Sequence, residues 1–198
     1  LRTKEIFISA LVFSLLLILT FNLGLDTLPD FVPTISAGIL WIAIVFGGII
    51  AMNRTYAIEI ESGAINRILL SPISKDAFFF GKTLSNFTLM ILLEVILLPT
   101  MIVLYDLNIP IIEIIVLSTL VILGISLVGT LFSAISVKTN AKEVMLPILI
   151  LPILTPVLIA AVEVTAGLII GQSFQDVQRW ISLVSVFDAI FLVVAPFL

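Results

Sequence analysis

Runs of Leu, Ile, Val and Phe alternate along the chain with short polar stretches. The runs cover about 6–23, 35–52, 84–105, 111–136, 145–171 and 181–198. A hydrocarbon core about 30 Å thick takes about 20 apolar residues of helix to cross, so each run predicts a transmembrane span. An isolated strand cannot satisfy its backbone in lipid, whereas a helix can. A β-barrel would show alternating segments of about ten residues; these runs are continuous. The expected fold class is therefore all-α, a polytopic membrane protein of six transmembrane helices forming one domain over residues 1–198. The first run has no small-residue cleavage site and predicts a retained helix rather than a removed signal peptide. The sequence opens on Leu1 and stops inside the last run, so a few residues are expected to be missing at each end.

Composition supports this pattern. Of 198 residues, 61% are apolar and 11% charged, against about 45–50% and about 25% in soluble domains. Mean hydropathy is +1.35. The net charge of −4 and the lack of a basic stripe exclude nucleic acid as a partner. With neither Cys nor His, the chain has no disulfide, no thiol chemistry and no His-based metal site or catalytic triad. No metal is expected to bind.

The basic residues sort by side. Arg2 and Lys4 precede the first run. Arg54, Arg67, Lys75 and Lys82 lie between the second and third, and Lys138 and Lys142 between the fourth and fifth. All but Arg179 of the nine fall on one side, so both termini are expected to be cytoplasmic. The opposite loops carry Asp26, Asp30, Asp106 and Asp176. No internal repeat is evident, so an inverted-repeat transporter is not predicted.

The longest stretch between spans is 53–83. Over 56–70, Glu59, Ser62, Gly63, Asn66 and Arg67 share one helical face, and Ala57, Ile58, Ile60, Ala64, Ile65, Ile68 and Leu69 the other. This predicts an amphipathic helix lying at the membrane surface. Glu61 is the exception on the apolar face. Ser71-Pro72 is expected to end the helix, and Ser74 to cap the next one, with Lys75 and Asp76 in its first turn. The segment is either a connector with no partner or a coupling element suited to dock into a groove of a soluble protein. Gly81-Lys82-Thr83 imitates the end of a phosphate-binding loop. The Gly required five residues before Gly81 is Asp76, and no strand precedes it, so no nucleotide site is predicted.

Three acids fall inside runs: Glu94, Glu163 and Asp188. A charge at mid-membrane costs roughly 2.5–3.5 kcal/mol on insertion scales, and no basic residue lies at matching depth. These acids are candidates either for a substrate, proton or partner contact or for interhelical hydrogen bonds. Glu163 lies nearer an interface, and Glu113 at the edge of the fourth run. Pro99, Pro147, Pro152 and Pro156 predict local helix distortion. Ser126, Thr130 and Ala134, with Gly129 and Ser133, form a small-residue face for close helix packing, inside one protomer or across a dimer. No catalytic set is visible, so the chain is not expected to be an enzyme.

Six helices with a short amphipathic segment and no nucleotide site resemble the permease subunit of an ABC-2-type transporter. Glu61-Ser62-Gly63, Leu69-Leu70-Ser71-Pro72 and Gly81-Lys82 are similar to the coupling region of that superfamily. A narrower resemblance, to the haem exporter B family (CcmB) of cytochrome c maturation, runs along the whole chain. It rests on Ala37-Gly38-Ile39-Leu40-Trp41, Asn53-Arg54, Glu59 to Gly63, Asn86, Glu94, Val128-Gly129-Thr130-Leu131, Lys142-Glu143-Val144-Met145-Leu146-Pro147 and Phe187-Asp188. The resemblance implies a bacterial inner-membrane permease in an ABC complex for cytochrome c biogenesis. It implies three partners: a soluble ATPase that binds ATP, a second membrane subunit that handles haem, and a haem chaperone. Haem is the implied cargo, with no cofactor bound in this chain; Met52, Met90, Met101 and Met145 are only weak ligand candidates. Glu59, Glu61, Gly63, Asn66, Arg67, Ser71 and Pro72 are the implied ATPase-coupling residues. Half a common transporter complement of helices implies a homodimer or a second membrane partner. The alternatives are a permease for a drug, lipid or glycan, or a membrane scaffold that transports nothing.

Overall fold

A computed structural model describes residues 2–25, 31–64, 74–136 and 142–195. The described residues form six helices and no strands: α1 Arg2–Leu25, α2 Val32–Glu61, α3 Lys75–Leu104, α4 Ile111–Ser136, α5 Lys142–Ile169 and α6 Gln178–Val194. The first five are long and apolar enough to cross a membrane. The sixth expected span is a helix of 17 residues, at the short limit of a crossing.

Local chemistry sets the ends of the helices. Pro33 stands in the first turn of α2, where its missing N–H has no intrahelical partner to lose. Ser74 caps α3 as expected, its hydroxyl accepting from the Ala77 N–H at 3.3 Å. Two helices finish in the same motif. At the end of α5 the Gln172 N–H donates to the Gly167 carbonyl and the Gly171 N–H to Leu168, with Gly171 at φ +82. At the end of α3 the Leu107 N–H donates to Ile102 across Asp106 at φ +48. The left-handed residue turns the chain back so that the last carbonyls find donors. The α3 helix runs unbroken through Pro99, and α5 through Pro152 and Pro156.

The α2 helix is the centre of the bundle, packing on α1, α3, α4 and α5. Within its most apolar stretch 72% of residues are buried, against 22% for α1. Trp41 is buried and its indole N–H donates to the Thr165 hydroxyl of α5 at 2.9 Å. Lipid gives helices no hydrophobic reason to associate, so close approach and interhelical hydrogen bonds carry the packing. Gly47 admits Ser14 of α1, whose hydroxyl donates to the Ala43 carbonyl at 2.8 Å. Gly48 seats Met90 of α3, and Gly129 of α4 seats Met52. The small-residue face of α4 is used within the protomer. Ser126, Thr130 and Ser133 are buried, Ser126 donating to the Met90 sulfur, while Ala134 is exposed.

The segment expected as one amphipathic helix over 56–70 is organised differently. Residues 56–61 are the last turns of α2, so this part belongs to the transmembrane helix. Ser62 caps it, and Gly63 at φ +67 breaks the helix before residue 64. A left-handed residue cannot continue a right-handed helix, and glycine takes that conformation without a Cβ clash. The remainder of the expected helix, with Asn66, Arg67, Ser71 and Pro72, lies outside the described residues, as do Asp26, Asp30 and Lys138.

Candidate functional site

Polar side chains gather where α2 finishes and α3 begins. The Lys82 ammonium pairs with the Glu59 carboxylate and lies over the Tyr56 ring, 4.6 Å from its centroid. Tyr56 is one turn before Glu59 on α2, so one face of that helix supplies both the anion and the aromatic surface. Lys82 is buried, while Glu59 keeps 29% of its side chain exposed. The tyrosine hydroxyl donates to the Thr130 carbonyl of α4 at 3.4 Å. The Asn86 amide, one turn beyond Lys82, donates to the Thr130 hydroxyl at 2.9 Å. The cluster therefore ties α2, α3 and α4 together at one end of the bundle.

Three oxygens at this end, Glu59 Oε2, Thr83 Oγ1 and Ser133 Oγ, are buried and have no hydrogen-bond partner among the described residues. Pairing of Asn86 with Thr130 and of Met90 with Ser126 sets an antiparallel register for α3 and α4. That register brings Thr83 level with Ser133. Beyond Met90 the same face of α3 carries Glu94, buried within reach of the Ser118 hydroxyl of α4.

Of the coupling residues read from sequence, Glu59 is engaged by Lys82 inside the protein. Glu61 is exposed at the last residue of α2, and Gly63 forms the turn. Glu94 and Asp188 are buried, whereas Glu163 is exposed on α5. The site does not gather these acids: Glu94 faces α4 through Ser118, and Asp188 of α6 reaches α4 at Gly124. Sequence reasoning missed Lys82, Tyr56 and the pairing of Asn86 with Thr130. A Lys opening an apolar run on the side that also carries a Glu was the available signal. Instead Lys82 drew notice as one of the basic residues of that side, in the Gly81-Lys82 resemblance and in the phosphate-loop imitation, which the structure places inside the α3 helix.

At the opposite end an open depression of about 440 Å³ lies among Asn108, Glu113, Gln172, Ser173 and Phe174. Here the Asp176 carboxylate accepts from the Ser173 N–H at 2.9 Å and the Ser173 hydroxyl at 2.7 Å. These two donors hold its carboxyl below the usual aspartate range. No group of three His, Cys, Asp or Glu suited to a metal occurs among the described residues. A partly buried ion pair and a hydrogen-bonded Asn–Thr contact join three helices just before a glycine turn.

Comparison with known proteins places this geometry in context. A family profile described as CcmB protein matches residues 1–198. The chain is similar to the Heme exporter protein B of Rhodobacter capsulatus, 27% identical over 156 residues, 77% of this chain and 71% of that protein. It is 28% identical to the Heme exporter protein B of Pseudomonas aeruginosa over 152 residues, covering 75% of this chain and 67% of the relative. That of Haemophilus influenzae is 27% identical over 172 residues, covering 84% and 77%.

Proposed function

The chain belongs to the CcmB protein family, and from that premise we propose that it is the membrane permease of a haem-export complex serving cytochrome c biogenesis. The observation that carries this reading is the family match along the whole chain, joined by relatives named Heme exporter protein B. The all-helical bundle with five helices able to cross a membrane agrees with a permease.

The chain works with an ATPase bound from the cytoplasmic side of the bacterial inner membrane, and both of its termini face that side. ATP is bound by the partner, and this chain contributes no catalytic group. The Gly63 turn and the segment beyond it receive the ATPase, and the Glu59–Lys82–Tyr56 cluster passes its movement to α2, α3 and α4. Glu61, exposed at the end of α2, together with Asn66, Arg67, Ser71 and Pro72, forms the docking surface. Haem is handled with a second membrane subunit and passed to a chaperone on the outer face.

Deleting the protein and staining for covalently bound haem tests the substrate class. Loss of all c-type cytochromes is expected, and normal levels would assign the permease to a drug, lipid or glycan. Reversing charge at Glu61 and Arg67 tests the docking surface. Loss of ATPase co-purification is expected, with the bundle intact because Glu61 is exposed at the end of α2. An unchanged yield of ATPase would remove docking from this segment.

A further inference from the structure

Both carboxyl oxygens of Asp188 are buried and have no hydrogen-bond partner among the described residues. The residue is 3% exposed. It lies ten residues beyond the first residue of α6, about 15 Å along the helix at 1.5 Å per residue. Its seat is made by Gly124 of α4. A Cβ at Gly124 would overlap Asp188 Oδ1, and the Phe187 ring would stand 3.5 Å from that same Cβ. Glycine here leaves room for a carboxyl group and for little else.

Nothing charged faces this seat among the described residues of the packed elements. On α4 the acid is Glu113, in the first turn and about three turns from Gly124. On α5, Glu163 is exposed, and on α6, Arg179 is exposed beside the Trp180 ring. A carboxylate in this position would give up its water and gain no counter-charge or donor. A neutral acid, by contrast, is a small polar group packed against a glycine.

We propose that Asp188 is a proton-binding site: its carboxyl is held as the neutral acid at the α4–α6 contact, and loss of the proton separates α6 from α4 at Gly124. The carboxylate needs water or a cation around it, and the seat admits neither until the helices part. The proposal stands apart from the export reading, because it concerns the bundle alone.

Infrared spectroscopy of the purified full chain tests it. The wild-type minus Asp188→Asn difference spectrum at pH 7 is expected to show the carbonyl stretch of a protonated carboxyl, lost in the variant. If Asp188→Asn does not fold, otherwise wild-type protein with Asp26→Asn and Asp30→Asn, carrying carbon-13 aspartate, reads the same group, since Asp76, Asp106 and Asp176 are exposed and Glu94 is not shifted by that label. The chain has no Cys, so spin labels at Thr119→Cys and Ser185→Cys, exposed positions on α4 and α6, report the helix separation. The distance is expected to lengthen over the pH range in which the band disappears. Absence of the band, a band that persists until the helices unfold, or a distance unchanged while the band vanishes would each overturn the proposal.

Discussion

Lys82 of α3 reaches Glu59 of α2 across 23 residues of sequence, and the pair closes the end of the bundle from which the chain leaves toward residue 64. The Lys is buried and the Glu partly exposed, so the interaction lies between a desolvated ion pair and a surface one. Removing one partner of a fully buried pair costs about 3–5 kcal/mol, and an exposed pair contributes about 0–1 kcal/mol.

Lys82→Met is expected to destabilise the purified protein by about 2 kcal/mol, between those two limits. Adding Glu59→Gln should recover part of the loss, because the uncompensated carboxylate is then gone. A double-mutant cycle of unfolding in detergent measures the coupling, expected at about 1 kcal/mol. A coupling near zero would show that the pair holds nothing together.

Glycines in the spans should divide by what faces them. Gly38 has nothing within 4 Å of an added Cβ, so Gly38→Ala is expected to stabilise α2 by about 0.5–1 kcal/mol. At Gly47 the added Cβ overlaps the Ser14 hydroxyl that serves Ala43, and Gly47→Ala should cost about 1–3 kcal/mol. Thermal unfolding of the two variants side by side checks the order.

Trp41→Phe and Thr165→Val each remove the hydrogen bond between α2 and α5. Interhelical hydrogen bonds in membranes average about 0.6 kcal/mol. Trp41→Phe also loses packing volume, so it should be the more destabilising of the two. Once Trp41→Phe is present, Thr165→Val should add almost nothing, and unfolding of the three variants reads this out.

The Asp176–Ser173 turn should respond to acid and not to mild alkali. Its carboxyl is held low by the Ser173 N–H and hydroxyl. A depressed carboxyl contributes stability above its unfolded value, about 3.9, and loses it as pH falls through the folded value. Exchange of the Ser173 amide is therefore expected to keep its protection at neutral pH and down to about pH 5, and to lose it only in stronger acid. Asp176→Asn should remove the transition.

The sequence alone determined that this is a helical membrane protein and roughly where each helix runs. Apolar runs of this length can satisfy their backbone in lipid only as helices, and Ser74 marks a helix start through local chemistry alone. The family was legible too, because its motifs recur in order along the chain. The sequence did not reveal which side of each helix faces a neighbour. Lipid and bundle interior are equally apolar, so the buried side of α3 or α4 carries no periodic signature. Ser126, Thr130 and Ser133 therefore read as a small-residue face with two uses, and only the register with Asn86 and Met90 assigned them to the protomer itself. Residues 56–61 read as the start of an amphipathic helix because Glu59 joins Ser62, Gly63, Asn66 and Arg67 on one face of an otherwise apolar stretch. The tertiary structure brought Lys82 onto Glu59 and kept that stretch in α2, and the positive φ of Gly63 ended the helix there. The seat of Asp188 was likewise decided by the fold, because a glycine in α4 leaves space that only a neighbouring helix can fill.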